Sequence, residues 1–433
     1  MKEVVSNLYP EYLRYIDSFR AIPWVTDALK PVERRLLLAV HDVAKSKFTK
    51  CAKIVGHSIS NYHPHGDLST YETLVTLVNR GFVVGQGNFG AIGLDDMSSA
   101  AMRYTECKAN TFLNNLFTEF LEFAPWQELE LDNEPLYLPS PVPIGLVGEG
   151  ITSGIANNTC KIPRYNYVDL LTRTRELISN STTKTTIQPI IAGCNVYEDS
   201  PGEFEKILTT GEGIIQCVPH HKTISNSVFI YGRNPLTGYS KLKSFNSDYE
   251  EKNGSPLYTV VDLSDSKLCI QVTPIKGKAD ANFELQIAKL ISTKIHILCN
   301  FVDNDYAAKL FSIDQVIIKG YNAWKNCYLL ALNSQLNKLS QKLLEYNVIL
   351  IIRQIIENYP KLKTVDDYCK QYLSSNFINP NISTDNIREV ASKHRIKTLI
   401  EADIDIPQIQ QEIAQTQQNI SNINQLAFDR ISQ

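Results

Sequence analysis

Apolar residues in the last third of the chain recur at alternating spacings of three and four, the heptad pattern of a coiled-coil helix. The first seam runs through Leu329, Leu332, Leu336, Leu339, Leu343, Tyr346 and Leu350. The second seam runs through Ile409, Ile413, Thr416, Ile420, Ile423 and Ala427. Because Pro360 and Pro380 interrupt helical patterns between the seams, the chain can reverse there. The pattern predicts an antiparallel two-helix coiled coil with a small globular tip, and two separate long helices in a bundle are the alternative.

Two other hydrophobic patterns precede the seams. In about the first 130 residues, short stretches with one apolar face (36–43, 54–59 and 68–80) are separated by Gly and Pro. This outline is that of a helix-turn-helix, although helical hairpins are common in proteins that bind no DNA. Between about residues 130 and 310, β-branched runs such as SVFIYG and LYTVVDL lie between turn signals. That region is predicted to mix strands with helices, in an α/β or α+β arrangement.

The composition indicates a soluble multidomain protein. The chain has 433 residues, 43% of them apolar and 21% charged, with a formal net charge of −3. The total charge therefore gives no sign of nucleic-acid binding, and any anion-binding surface must be local. The nine cysteines form no C-x-x-C pair, which favours reduced thiols over disulfides or a metal site. No signal peptide or membrane-spanning run is evident, so we expect a cytoplasmic protein that does not contact a membrane.

Residues 82–104, FVVGQGNFGAIGLDDMSSAAMRY, contain a literal G-x-G-x-x-G at Gly85, Gly87 and Gly90. A dinucleotide-binding loop needs a helix directly after the glycines and a place for negative phosphates at its start. Here a further glycine and two aspartates follow instead. We therefore reject nucleotide binding and predict that the glycines make tight turns and approach another backbone closely.

Positive charge is concentrated near the predicted helix-turn-helix. Seven basic residues lie within 24 positions: Lys30, Arg34, Arg35, Lys45, Lys47, Lys50 and Lys53. Only Glu33 and Asp42 are acidic in the same stretch. Such a concentration is suited to binding DNA phosphates, while a solvated helix face is the common alternative.

Four motifs follow in order: RAIPWVTDALKPVERR, YHPHGD, GQGNFG and AAMRYTE. Together they closely resemble the breakage-reunion subunit of type IIA DNA topoisomerases, which in gyrase and topoisomerase IV is the A subunit. The likeness is specific over about the first 170 residues, as far as KIPRYN, and architectural from there to the two seams. The chain stops after the second seam, where a gyrase A subunit continues into a DNA-wrapping domain, so relaxation or decatenation is expected rather than active supercoiling.

The resemblance implies an α+β multidomain fold. It places a winged-helix (helix-turn-helix) domain for DNA binding and cleavage at residues 1–132, and an α/β tower or shoulder domain at 133–310. It places a long antiparallel coiled coil at 311–359 and 405–433, with a small globular dimerisation tip, the C-gate, at 360–404. The active form implied is a homodimer that uses this gate, because each subunit cuts one strand of the DNA.

The resemblance also implies a catalytic site. Tyr104 in AAMRYTE matches the nucleophile that forms a phosphotyrosyl link to a DNA 5′ end. Arg103 and Arg20 match basic residues around the scissile phosphate, and His65 matches a histidine that contacts it. Without the motif, Tyr104 would read as a half-buried core residue, and His65 as a turn residue that ties down loop backbone.

The DNA-binding residues implied are Lys30, Arg34, Arg35, Lys45, Lys50, Lys53, His63 and Ile162. His63 matches a second histidine of the bacterial pattern, with a loop-stabilising role as its alternative. Ile162 matches an isoleucine that wedges between base pairs and kinks the DNA, and a core residue at a strand end is its alternative. Leu68 stands where quinolone-sensitive relatives carry a serine, so poor quinolone sensitivity is predicted.

No acidic D-x-D metal motif and no phosphate-binding G-x-x-x-x-G-K-[ST] loop is evident in the sequence. The family places both on a second subunit, so Mg²⁺ and ATP are expected on an ATPase and metal-binding B-type partner, in an A2B2 or larger complex, and no metal on this chain. Two other functions remain open. One is a catalytically inactive DNA-binding structural protein on the same scaffold, and the other is a tyrosine recombinase, whose helical scaffold differs.

Overall fold

The computed structural model describes residues 11–432 except 92, 95–96, 129–132, 156–157, 266, 279–281, 363, 375–378, 380 and 394–403. The two aspartates that weighed against nucleotide binding, Asp95 and Asp96, and part of the predicted dimerisation tip lie outside the described residues. By Cα distances the chain divides into two units, residues 1–327 with 431–433, and residues 328–430.

The N-terminal region folds as helices against a three-stranded antiparallel sheet. Residues 11–16 are α-helical and continue into a π-helical turn over Asp17–Ala21. The helices are α1 (Pro31–Ala44), α2 (Cys51–Asn61), α3 (Asp67–Asn79) and α4 (Thr111–Thr118). The strands are β1 (Thr49–Lys50), β2 (Val83–Gln86) and β3 (Glu106–Ala109), with β3 in the centre. The three stretches predicted to be amphipathic therefore lie in helices α1, α2 and α3.

Helix α1 begins where the sequence supplies a start signal. Pro31 occupies its first turn, where the missing N–H is not needed. The Glu33 carboxylate turns back and accepts the backbone N–H of Lys30 at 2.9 Å. Leu36 and Val40 from the same helix are buried in the main core. The helix that carries RR of the KPVERR motif is thus fixed at its start and along its apolar face.

A five-stranded antiparallel sheet follows, in the order β6-β7-β14-β9-β8. Its strands are β6 (Ile151–Ile155), β7 (Thr159–Pro163), β8 (Cys194–Glu198), β9 (Glu212–Pro219) and β14 (Thr293–Leu298). Helices α5 (Tyr167–Ile178) and α6 (Glu203–Thr210) lie between these strands in sequence. Strand β9 alternates buried and mostly half-buried positions, with Ile215 and Cys217 directed into the main core. This period of two is what a sheet with one covered face requires.

A second, four-stranded antiparallel sheet has the order β10-β11-β13-β12. Its strands are β10 (His221–Ile224), β11 (Ser227–Ile230), β12 (Tyr258–Asp262) and β13 (Ile270–Pro274). Helices α7 (Ser240–Asn253) and α8 (Phe283–Ile291) contribute Leu242 and Ile287 to its separate apolar cluster. There are also two short two-stranded sheets. One pairs β4 (Trp126–Glu128) with β5 (Asn133–Pro135), and the other pairs β15 (Asn300–Val302) with β16 (Ala308–Leu310).

The strand pairing corrects one expectation. Within both larger sheets, every pairing between the named strands is antiparallel. The predicted α/β tower is therefore α+β in its arrangement, because parallel strands joined by crossover helices would be needed for an α/β sheet. The runs SVFIYG and LYTVVDL predicted strands β11 and β12 but held no information on strand direction.

Helix α9 (Ile313–Asn358) is 46 residues long and carries the whole first seam. Near its end, Val348 and Ile352 pack in one cluster with Tyr368 of α10 (Val365–Ser374) and Ile387 of α11 (Thr384–Lys393). Helices α12 (Ile406–Ser421) and α13 (Ile423–Ser432) follow.

The second seam contains buried positions at Ile409, Thr416 and Ala427, while most residues between them are exposed. In the second unit, the Arg430 guanidinium carbon lies 5.0 Å from the centre of the Tyr328 ring. Helix α13 therefore returns beside the part of α9 that begins this unit. The antiparallel pairing of the two seams along their length stays a prediction.

Among the helices formed by described residues, none combines the length and the apolar character that crossing a membrane demands.

Candidate functional site

Tyr104 lies on a turn that is hydrogen-bonded to the start of helix α2. The Cys51 N–H donates to the Thr105 carbonyl at 3.0 Å, and the Ala52 N–H donates to the Met102 carbonyl at 3.2 Å. These helix-start amides have no partner within their own helix, so the turn satisfies them. The Tyr104 side chain is 64% exposed. The phenol is thus held at the surface by backbone that is fixed on both sides of it.

Arg103 lies against the same phenol. Its guanidinium carbon is 4.7 Å from the centre of the Tyr104 ring. A cation over the ring face is an attractive contact, and its charge also favours anions nearby. The pair therefore places a phenol beside a positive charge that can attract an anion.

The loop before Tyr104 is held by a buried tyrosine that the sequence analysis did not single out. The Tyr71 hydroxyl donates to the Ala100 carbonyl at 2.6 Å and lies 2.8 Å from the Thr105 hydroxyl oxygen. Tyr71 belongs to α3, the helix that follows YHPHGD. Its position in an amphipathic pattern indicated burial, whereas the bonds to the loop depend on the tertiary fold.

Gly87 and Gly90 of the same loop have the backbone roles that were predicted, whereas Gly85 is crowded by side chains. Gly87 and Gly90 have φ values of +111° and +89°, which side chains with a Cβ rarely adopt. A Cβ on Gly85 would lie 2.4 Å from the Cγ1 of Val78, too close for any other residue. After Gly90 the chain forms a β-bridge between Ala91 and Met97, not the helix of a dinucleotide loop.

The two histidines of YHPHGD are close together. Their rings meet edge to face, with centroids 4.4 Å apart. The Nδ1 of His63 lies 3.0 Å from a terminal nitrogen of Arg35. Because a guanidinium only donates, Nδ1 is the acceptor, which leaves the ring proton on Nε2. Burial, and then the charges of Arg35, His65 and Arg20, lower the pKa of His63 from 6.5 to about 3.

Arg20 is exposed on the π-helical turn, and its charge acts on His63. The structure therefore brings together Arg20, His63 and His65. Within the described part of the chain, no hydrogen bond or ion pair connects Tyr104 with Arg20 or His65. The contacts observed among the predicted residues are those of Arg103 with Tyr104 and of His63 with His65, with the charge of Arg20 acting on His63.

The prediction that Arg34 and Arg35 contact DNA phosphates requires correction. Arg34 is 2% exposed and binds both carboxylate oxygens of Asp27, at 2.7 and 3.1 Å. Arg35 is 5% exposed and binds both oxygens of Glu134, at 2.6 and 3.1 Å. Guanidiniums buried in bidentate pairs stabilise helix α1 in the core and do not face a nucleic acid.

Sequence reasoning missed both carboxylates, and for Glu134 there was no signal to find. It lies 99 residues from Arg35, on a different element. Gln127 also donates to Glu134, at 2.9 Å. The pairing follows from how β5 packs beside α1, which local spacing does not encode.

The predicted lysines behave differently from the two arginines. Lys45, Lys50 and Lys53 are exposed around the junction of α1 and α2. Lys50 pairs with Glu106 at 2.8 Å, a contact that solvent screens. The ammonium of Lys30 donates to the Ser153 carbonyl at 2.6 Å, which ties the start of α1 to strand β6. The exposed charge therefore lies at the start of α2, next to the Tyr104 turn.

The predicted wedge, Ile162, is not presented to DNA in this structure. It is 1% exposed and belongs to the main core. Strand β7 alternates, so that Cys160 and Ile162 point to the same buried face. The wedge prediction for Ile162 is thus corrected to a core position at the end of a strand.

As for metals, the residues that the structure describes contain no group of three or more His, Cys, Asp and Glu placed to hold an ion.

A profile of the family described as the A subunit of DNA gyrase/topoisomerase IV matches residues 20–432. The A subunit of DNA topoisomerase 4 from Caulobacter vibrioides is 39% identical over 193 residues, which are 42% of this chain and 25% of that protein. The chloroplastic/mitochondrial DNA gyrase A subunit of Nicotiana benthamiana is 31% identical over 302 residues, 64% of this chain and 30% of that protein. The DNA gyrase A subunit of Neisseria gonorrhoeae is 35% identical over 205 residues, 44% of this chain and 22% of that protein.

The matched segments therefore span less than a third of the length of these three relatives. The family match, by contrast, runs from the turn that carries Arg20 to the last helix. The chain belongs to the family of DNA gyrase and topoisomerase IV A subunits.

Proposed function

We propose that this chain is the DNA-cleaving and rejoining subunit of an ATP-dependent type II DNA topoisomerase. The observation that carries the proposal is the largely exposed Tyr104 on a turn fixed by α2, with Arg103 over its ring. An ordinary core tyrosine has neither this exposure nor this anchoring. Family membership supplies the reaction class, and the Tyr104 turn supplies a residue able to perform it.

The chemistry proposed is a transesterification. The phenolic oxygen of Tyr104 attacks a DNA phosphorus, a bond from phosphorus to that oxygen forms, and the bond to the 3′ oxygen breaks. The phenol loses its proton and the departing 3′ oxygen gains one, which leaves the 5′ end on the tyrosine. Because the phosphotyrosyl ester retains the energy of the broken bond, the reverse attack reseals the strand without a further energy source.

Charge stabilisation is assigned to the residues around the phosphate. Arg103, Arg20 and His65 would face the oxygens on which negative charge develops. His63 would act through its neighbours, since it accepts a hydrogen bond from Arg35 and contacts the His65 ring. The buried ion pair with Glu134 would hold the Arg35 guanidinium in place, and the guanidinium would in turn hold the His63 ring.

The partners proposed are double-stranded DNA, a second copy of the chain and a B-type subunit. Lys45, Lys50 and Lys53 would contact the DNA backbone, and residues 360–404 would form the C-gate of the homodimer. Two Tyr104 residues, one from each copy, would cut the two strands so that a second duplex can pass. Mg²⁺ and ATP would be bound by the B-type subunit, in an A2B2 or larger complex in the cytoplasm of a bacterial or phage-infected cell.

The test is a cleavage and relaxation assay with a B-type subunit of the gyrase or topoisomerase IV family, Mg²⁺, ATP and supercoiled plasmid. We expect covalent DNA adducts and relaxation with the wild-type chain and neither with Tyr104→Phe. Tyr197→Phe is the matched control, because Tyr197 is also exposed but lies on strand β8. If wild type and both variants bind DNA equally and form no adduct, the chain is an inactive DNA-binding protein and the proposal is wrong.

A further inference from the structure

The loop that leads to Tyr104 is anchored at its tip as well as at its base. The backbone N–H of Leu94 donates to a carboxylate oxygen of Asp262 at 2.7 Å. Asp262 is the last residue of β12, an outer strand of the four-stranded sheet, and lies 168 residues away in sequence. The contact joins the approach to the proposed nucleophile to a sheet that otherwise has no part in the site.

Two further contacts accompany this hydrogen bond. The half-buried Leu94 side chain packs against the apolar cluster of the same sheet, as Val260 and Leu268 do. The second Asp262 oxygen accepts the N–H of Ser264 at 2.9 Å. The hydrogen bonds from Ser264, followed by the one from Leu94, lower the pKa of the Asp262 carboxyl. An ionised acceptor makes the stronger bond to a backbone N–H.

Hydrogen bonds continue from the tip of the loop to its base. Ala91 and Met97 exchange backbone hydrogen bonds at 3.1 and 3.0 Å, which closes the loop into a narrow excursion. The Ala100 N–H donates to the Asn88 carbonyl at 2.9 Å. The Tyr104 N–H then donates to the Ala101 carbonyl at 2.8 Å. Backbone hydrogen bonds thus recur along the loop, from the tip that Asp262 holds to the turn that carries the Tyr104 phenol.

We propose that Asp262 is a positioning residue: with Leu94 it forms a latch that fixes the loop and thereby aims Tyr104 at the DNA phosphate. The inference rests on the proposed function, since it needs Tyr104 to be the nucleophile. When both ends of the loop are held, the Tyr104 phenol has less conformational entropy to lose during attack. Asp262 acts through the loop and touches no reacting atom.

The experiment compares Asp262→Ala, Asp262→Asn and Asp265→Ala with wild type in the full chain. Asp265→Ala is the matched control, because it removes an exposed carboxylate three residues along the same segment. Hydrogen exchange at residues 91–101 reports the latch directly. The rate of covalent adduct formation, measured with the B-type subunit, Mg²⁺ and plasmid, reports its effect on Tyr104, while DNA affinity is measured separately.

For Asp262→Ala we expect faster exchange at the Leu94 amide and a loss of adduct rate of about tenfold, because small misplacement of a reacting group is costly. DNA affinity should not change. Asp262→Asn keeps an acceptor oxygen and should recover most of the rate. Asp265→Ala should match wild type in every measurement.

Leu94→Ala tests the apolar half of the latch. We expect it to lower the adduct rate in the same direction as Asp262→Ala. The double variant should lose little more than the worse single one, because both changes release the same loop tip. Fully multiplicative losses would show two independent effects and would contradict a single latch.

The outcomes separate the two proposals. If wild type forms no adduct, the proposed function fails and the positioning role fails with it. If wild type forms the adduct and Asp262→Ala matches it in rate, the latch is wrong while the proposed function stands. Unchanged exchange at Leu94 in Asp262→Ala would overturn the latch as well.

Discussion

The guanidinium of Arg35 lies 3.0 Å from the Nδ1 of His63, and this contact makes the histidine a hydrogen-bond acceptor. A protonated His63 would place two cations against each other in a buried site. The YHPHGD motif therefore presents one neutral, fixed histidine beside a second, His65. The arginine expected to contact DNA instead adds to burial in lowering the pKa of His63.

The buried His63 predicts a specific pH dependence of stability. Its pKa falls from 6.5 in the unfolded chain to about 3 in the folded one. Above the unfolded value both states are neutral, and below it only the unfolded chain takes up the proton. Stability should therefore decline as the pH falls from 6.5 toward 3, by about 1.4 kcal/mol at pH 5.5 from this group.

The measurement is urea unfolding of wild type and His63→Gln at pH 7.5 and 5.5. The glutamine variant should lack this part of the pH effect, because its amide does not titrate. His220→Gln is the control, since His220 is exposed. An equal loss of stability in wild type and His63→Gln would contradict the neutral histidine.

The Arg35–Glu134 pair should be a determinant of stability. Glu134→Gln leaves a buried guanidinium without its counter-charge, which should lower the free energy of unfolding by about 3 kcal/mol. Glu106→Gln breaks the solvent-screened pair with Lys50 and should cost about 0.5 kcal/mol. Denaturant unfolding of both variants decides the matter, and equal effects would mean that Arg35 is not buried as described.

The exposed lysines should govern the salt dependence of DNA binding. Lys45→Ala and Lys53→Ala should each reduce the slope of log affinity against log salt by about 1, as expected for one lost phosphate contact. Lys338→Ala, an exposed lysine of the long helix α9, should leave the slope unchanged. Binding isotherms at several salt concentrations provide the test, and an unchanged slope in both lysine variants would remove them from the DNA interface.

The buried Ile162 predicts a stability effect rather than a pure DNA effect. Ile162→Ala should lower the free energy of unfolding by about 3 kcal/mol, from lost burial and the cavity that remains. Val168→Ala changes an exposed apolar side chain and should stay within about 0.5 kcal/mol. Normal stability of Ile162→Ala together with reduced DNA bending would restore the wedge interpretation.

Leu68 tests the prediction on quinolones. Its side chain is 67% exposed at the second residue of α3, where an added ligand can reach it. A leucine offers no polar group, whereas serine offers a hydroxyl that can donate or accept. Cleavage assays with a quinolone should show a poor response in wild type and a stronger one in Leu68→Ser. Leu236→Ser, on an exposed turn far along the chain, controls for a general surface effect, and an equal response in wild type and Leu68→Ser would refute the prediction.

Much of the local structure could be predicted from spacing alone. The seam from Leu329 to Leu350 lies on one continuous helix. Helices α1 to α3, and strands β11 and β12 in the runs SVFIYG and LYTVVDL, fall where periodicity and breakers placed them. These features depend on neighbours a few positions apart, so the sequence carries them directly. The direction of the strands was not predictable in the same way, because a run of β-branched residues looks alike in parallel and antiparallel sheets.

The sequence by itself determined the family, through four ordered motifs, and it identified Tyr104 and Arg103 as the residues to examine. Only the tertiary structure decided that Arg35 binds Glu134 and that Ile162 is buried. The same holds for the Leu94 contact with Asp262. The physical reason is the same in each case. Burial and pairing across about a hundred residues depend on which surfaces the fold brings into contact, and charge or hydrophobicity at one position does not specify its distant partner.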